Sequence, residues 1–389
     1  MSDTFLTQLE TTCKSDGPAA AIDSLIGHLR EQKNYDRLFD ALLLKKRNEM
    51  GMPLAMPTAL DDLPEDRRRE FEDYYVEAAR EVGELFLADD NVPRAWPYLR
   101  TIGETDKVRH KLDEMPLPND IDDSTEELIQ LCLHQGAHPA KGLEIMLHTH
   151  GTCNTITAFD QALQAQLLQG EDQQQAAAML VNELYDDLKR TVQQDVEQRI
   201  AMAPPTDSLR ELIAGRDWLF ENGNYHIDVS HLNSTVRFAR CLERGAAELP
   251  KVLQLAEYGA KLSDQLQYPG EPPFDDFYPA HIHFFKAILG ENVDEHIAYF
   301  QAKLDQEPDE QDKPYLAYEL VTLLTKIDRL DDAVEVGKKH LRSLNDPNGF
   351  SFLKLCQQAG QTDAWREAAR DNDDAVGFLA AVVHETSAG

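Results

Sequence analysis

The sequence predicts an all-α fold, and three observations carry that prediction. Nearly every segment places apolar residues at three-and-four spacing, the interval that lines one face of a 3.6-residue helix. No run of alternating β-branched residues signals a strand. The candidate helices also follow one another with short breaks, in the range usual for bundles and solenoids.

In chain order the apolar spacing predicts helices over Asp3 to Lys14, Pro18 to Gln32, Tyr35 to Glu49, Glu65 to Ala88, Val92 to Gly103 and Thr105 to Glu114. It continues over Thr125 to Gln135, Pro139 to His148, Thr152 to Leu168 and a long stretch from Glu171 to about Met202. After Pro204 and Pro205 come Leu209 to Glu221, Ser230 to Glu243, Leu249 to Leu266, Pro279 to Leu289 and Asp294 to Asp305. The last five are Pro314 to Lys326, Leu330 to Leu344, Phe350 to Ala359, Ala364 to Asp371 and Ala375 to Glu385. The long stretch would run roughly 45 to 50 Å at 1.5 Å per residue. Its apolar residues Leu180, Leu184, Leu188, Val192, Val196 and Ile200 recur every fourth position, drifting about 40° per step, so no fixed coiled-coil seam survives. A spine passing between packed lobes fits better.

Composition bounds the function. The 389 residues carry 70 Asp and Glu against 38 Lys and Arg, a net charge of −32, with 42% hydrophobic residues. That apolar share supports a packed interior and excludes intrinsic disorder. The acidity disfavours nucleic acid, whose phosphates it would repel, and favours basic or amphipathic protein or peptide partners. No apolar run approaches the roughly 18 residues of a membrane span, and the amino terminus lacks a secretory pattern. Five scattered cysteines with no CxxC pair imply neither a disulfide framework nor a cysteine zinc cage. A cytoplasmic protein is expected.

Two stretches carry a repeat signature. In "EAAREVGELFLADDNVPRAWPYLRTIG", Val82, Gly83, Phe86, Ala95 and Leu99 fall near the offsets at which two antiparallel helices approach through small side chains. In "AYELVTLLTKIDRLDDAVEVGKKHLRSLNDP", Leu320, Leu324 and Ala333 sit at matching offsets, with Pro347 just beyond. "LIGHLREQKNYDRLFDALLLKKR" and "FLKLCQQAGQTDAWREAAR" follow the unit more loosely. The chain thus resembles the tetratricopeptide-like family of helical repeats. The resemblance implies an α-solenoid of antiparallel helical hairpins, and peptide binding or scaffolding rather than catalysis, with no cofactor. It is expected in two lobes, residues 1–169 and 170–389, joined by the long central helix (about 171–202) that opens the second.

Other features bear on chemistry. The proline-rich segments Gly51 to Asp66 and Tyr268 to Tyr278 read as loops pinned by their own apolar residues, or as a lid or binding lip. Eight of thirteen histidines cluster: His134, His138, His148 and His150; His226 and His231; His281 and His283. Metal chelation from one helix needs ligands three or four apart; pairs two apart, such as His281 and His283, point about 200° away from each other. Most read as structural: His148 and His150 at a helix end before Gly151, Asp228 as a helix cap. The alternative function is an enzyme or metal-binding protein in which His226, Asp228, His231, His281 and His283 meet between helices of the C-terminal lobe around a divalent metal such as zinc. Cys153, in a first helical turn that lowers a thiol pKa, with His150 as base, is the candidate nucleophilic pair.

Overall fold

The computed structural model describes residues 3–61, 63–200, 206, 208–344 and 349–388. Asp62, Met202 at the expected end of the long helix, Pro204, Pro205 and Pro347 lie outside the described residues. The described chain is all-helical, with nineteen α-helices and no strand. None of them is long and apolar enough to cross a membrane. Packing divides the chain into two compact units, residues 1–168 and 169–389.

The first unit holds α1 (Asp3–Ser15), α2 (Pro18–Glu31), α3 (Tyr35–Glu49), α4 (Glu65–Ala88), α5 (Val92–Thr101), α6 (Thr105–Glu114), α7 (Asp123–Ile129) and α8 (Pro139–Gln164). From α1 to α6 each helix packs against the next. A π-helical turn over Gln130–His134 extends α7. Helix α8 breaks at Gly151, whose φ of 79° and ψ of 174° only glycine adopts easily; the two helices expected there are thus its two halves.

The second unit holds α9 (Gly170–Arg199), α10 (Leu209–Ile213), α11 (Val229–Phe238), α12 (Leu249–Gly259), α13 (Phe277–Leu289), α14 (Val293–Gln306), α15 (Lys313–Lys326), α16 (Leu330–His340), α17 (Phe352–Gln358), α18 (Thr362–Asp371) and α19 (Ala375–Ala388). Several expected helices are shorter, because their ends tighten into 3-10 turns over Asp217–Gly223, Ala239–Cys241 and Asp264–Leu266. Leu180, Leu184, Leu188, Val192 and Val196 are all buried on α9. Their drift around the helix has a use: successive partners line up along it. Near its start the Cys241 thiol faces the Gln173 carbonyl. In its middle the Tyr185 hydroxyl meets Gln254 and the Leu209 amide, and near its end Asp195 meets His226. Helix α9 packs against α10, α11 and α12 of its own unit.

One connection recurs. Three residues join α2 to α3, α4 to α5, α5 to α6, α15 to α16, α17 to α18 and α18 to α19. The middle residue is left-handed each time: Lys33, Asp90, Gly103, Asp328, Gly360 and Asp373, with φ between 52° and 76°. The next residue returns its N–H to the carbonyl five positions back, as in Asn34 to Leu29 at 2.9 Å, Asn91 to Phe86 at 2.9 Å and Arg329 to Leu324 at 2.8 Å. This is a Schellman closure. In the first five connections that same residue starts the following helix with φ between −89° and −95°. The same short backbone closure thus recurs at all six connections.

Close approach completes the pairs. A Cβ on Gly83 would stand 2.6 Å from Leu99 Cγ, and one on Gly259 would stand 2.2 Å from the Tyr278 ring. The four repeat-like stretches form the neighbouring pairs α2 with α3, α4 with α5, α15 with α16 and α17 with α18. The first proline-rich loop is held by Arg47, fully buried on α3. Its guanidinium donates to the carbonyls of Pro57 and Pro53, each at 2.9 Å, and also to that of Ala59, while lying over the Phe71 ring. The loop's own Met52 and Leu63 are buried in the core with Leu60 packed against it, so apolar residues and a buried cation pin it together.

Candidate functional site

The expected composite metal site is not assembled. No three His, Cys, Asp or Glu side chains among the described residues are grouped to hold a metal ion, and His226, Asp228, His281 and His283 are each engaged locally. The Tyr258 hydroxyl accepts from the His226 backbone N–H at 2.9 Å and donates to Nδ1 at 2.9 Å, while Nε2 lies 3.2 Å from Asp195 Oδ2. Both ring nitrogens of His226 are thus engaged. Asp228 caps α11, accepting from the Ser230 N–H at 2.8 Å, the Ser230 hydroxyl at 2.6 Å and the His231 N–H at 3.3 Å. These bonds, the Ser230 hydroxyl first, lower its pKa. His231 follows, half-buried, in the first turn.

His281 and His283 diverge as their spacing requires. His283 turns to α14, stacking on Tyr299 at 4.0 Å and meeting His296 Nδ1 at 2.8 Å through its own Nδ1. Burial lowers the pKa of both histidines. His281 turns the other way, into a core of phenylalanines.

The candidate nucleophile and base are also apart in function. His150 directs Nδ1 to the Thr149 hydroxyl at 2.8 Å and Nε2 to Glu126 at 3.1 Å, rather than to the exposed Cys153 thiol. His138 has a capping role, its Nδ1 accepting from the Lys141 N–H at 3.4 Å.

What concentrates polar and aromatic groups instead is a cleft of about 400 Å³ in the second unit. Arg237 from α11, Arg240 from the following turn, Phe274 from the second proline-rich loop, His281 from α13, and Tyr318 and Glu319 from α15 all line it. Arg240 lies over the Phe274 ring at 4.5 Å and pairs with Glu319 at 3.1 Å. The proline-rich segment, expected as either a pinned loop or a lip, contributes Pro269, Gly270, Glu271, Pro272 and Phe274 to the wall. Phe277 and Tyr278, which ended that segment in the sequence reading, belong to α13.

A second cleft of about 370 Å³ adjoins the first along α15. Tyr318 lines both, its ring edge-on to Phe350 at 5.9 Å. Val321 and Thr325 of α15 and Leu355 of α17 continue the wall. Besides loops and turns, the lining of the pair comes from α11, α13, α15 and α17. Sequence reasoning missed Arg237, Arg240, Tyr315 and Tyr318. A signal existed: two tyrosines three apart on α15, 72% and 37% exposed, beside the buried stripe of Leu316, Leu320 and Leu324. Chemically the arrangement offers aromatic faces, paired charges and one buried imidazole, which suits binding. No family model, curated protein or solved structure matches the chain.

Proposed function

We propose that this is a helical-repeat interaction or scaffold protein, an α-solenoid of antiparallel hairpins in two lobes, the second opened by the long helix α9, which receives a protein or peptide segment along α15. The observation that carries this reading is the pair of adjoining clefts, sharing Tyr318 and lined from α11, α13, α15 and α17. A continuous groove with aromatic and aliphatic walls suits an amphipathic segment, and the net charge of −32 favours basic partners at the encounter stage. The recurrent three-residue closure supports the repeat architecture, because one turn geometry repeated between helices stacks hairpins in a regular manner.

The test is selection from a displayed peptide library against the intact chain, followed by binding to Tyr318→Ala. Retained peptides should lose at least about tenfold in affinity in that variant while its helical circular dichroism is unchanged. A library that yields no binder, or binders indifferent to Tyr318→Ala, would refute the groove.

A further inference from the structure

Two imidazoles tie α13 to α14. His283 of α13 is half-buried and His296 of α14 is 5% exposed, and their Nδ1 atoms stand 2.8 Å apart. The ring centroids lie 4.9 Å apart, near the most that such a contact allows, so the two nitrogens face each other end to end. That geometry suits an N–H···N hydrogen bond, in which one ring donates and the other accepts. The far nitrogens decide which. His296 Nε2 is buried with no hydrogen-bond partner, and a proton there would be an orphaned donor, the rarer case in folded chains. His296 therefore carries its proton on Nδ1 and donates it to His283 Nδ1, and His283 carries its own proton on Nε2. A further proton on His283 Nδ1 would meet the His296 N–H head-on. One on His296 Nε2 would bury an unpaired charge.

The pair also holds the next turn of α14. Tyr299 stacks on His283 at 4.0 Å with the rings inclined by only 5°, and its hydroxyl donates to Asp276 at 3.5 Å. Lys303 pairs with Asp275 and lies 3.6 Å from Asp276. These two aspartates directly follow Phe274, where the second proline-rich loop lines the first cleft. Burial, ahead of any charge, lowers the pKa of both histidines from 6.5. The charges that act on them are Lys286 of α13, Glu291 in the connecting turn, and Glu295 and Lys303 of α14. The leading contributions include none from α12 or α15, the other helices packed on this hairpin.

We propose that His283 and His296 form a proton-operated clasp between α13 and α14, closed while one proton lies between their Nδ1 atoms and opened when solvent adds another to His283 Nδ1. Opening frees Tyr299, and with it the hold of α14 on the second proline-rich loop. The device does not depend on what the groove receives. Because both folded pKa values are lowered, its stabilisation is fully present above about pH 6.5 and is lost as the pH falls through the lowered values.

The test is nuclear magnetic resonance on the full chain labelled uniformly with nitrogen-15, titrated from about pH 8 to about pH 5. His281, on the other side of α13 with its pKa pushed down to about 3, stays neutral throughout. At the alkaline end the two Nδ1 nuclei should show a scalar coupling across the hydrogen bond, with His283 protonated on Nε2. The coupling should vanish as His283 gains its charge, and the backbone amides of Gly270, Phe274 and Asp275 should shift with the same midpoint. In His283→Gln the side-chain oxygen can still accept from His296 Nδ1 but cannot be charged, so those amides should keep their alkaline positions down to about pH 5. No coupling at about pH 8, a coupling that survives once His283 is charged, or loop amides that ignore its titration would each overturn the clasp. Loop amides that still titrate in a folded His283→Gln would do the same. If that variant does not fold, the titration of the unmodified chain decides alone.

Discussion

Replacing Gly83 with alanine probes a close approach between α4 and α5. A Cβ there would lie 2.6 Å from Leu99 Cγ and 2.7 Å from Cδ2, inside any real carbon contact. Leu99 is completely buried, so it has no free volume to retreat into. Overpacking of this kind costs about 1–3 kcal/mol, while alanine gains about 1 kcal/mol over glycine in a helix interior. The net expectation is a loss of roughly 0–2 kcal/mol. Gly27 on α2 supplies the control, because a Cβ there meets nothing within 4 Å and the substitution should stabilise by up to about 1 kcal/mol. The difference between the two variants isolates the clash at about 1–3 kcal/mol. Urea unfolding can be followed through Trp96, buried on α5 beside Leu99, with Trp218 and Trp365 replaced by phenylalanine. Adding Leu99→Ala should then erase the penalty of Gly83→Ala, giving a coupling of the same size. If Gly83→Ala stabilises as much as Gly27→Ala, the close-approach argument is wrong.

Three further expectations concern the turns, the buried arginine and pH. Gly360, with φ of 67° and nothing within 4 Å of an added Cβ, should lose about 1–2 kcal/mol on replacement by alanine from backbone strain alone, whereas Asp328→Gly at φ 64° should gain up to about 1 kcal/mol; thermal melts of the two would move in opposite directions. Arg47→Met deprives the Pro53, Pro57 and Ala59 carbonyls of their donor and should cost at least about 3 kcal/mol, seen as rapid proteolysis between residues 51 and 64; an unchanged cleavage rate would contradict the pinning role. His281, with its pKa depressed to about 3, binds fewer protons folded than unfolded, so stability holds above about pH 6.5 and falls as pH drops toward 3, by up to about 1.4 kcal/mol per unit. Denaturation midpoints at pH 7, 6 and 5 should show this slope, and His281→Leu should flatten it.

The parts legible from sequence are those governed by neighbours three or four residues away. The helices follow from apolar spacing because a helix buries one face, and the buried stripe of α9 is the residue set that spacing marks. Asp228 caps α11 with bonds that reach no further than His231, so its role could be read locally. The divergence of His281 and His283 likewise follows from 3.6 residues per turn.

Partners distant along the chain were decided by tertiary structure alone. His226 is engaged by Asp195 and Tyr258, some thirty residues to either side, and Arg240 by Glu319, 79 residues away; nothing in local spacing encodes those meetings. The recurrent turn was hidden for a different reason. Its left-handed position is filled by lysine, aspartate or glycine, since the closure is enforced by backbone hydrogen bonds that any residue supplies at modest strain. The groove depends on both effects. Helical periodicity could say that Tyr315 and Tyr318 share a face of α15, but only the packing of α11, α13 and α17 around that face turns it into a cleft, with His281 Nε2 sealed into its wall.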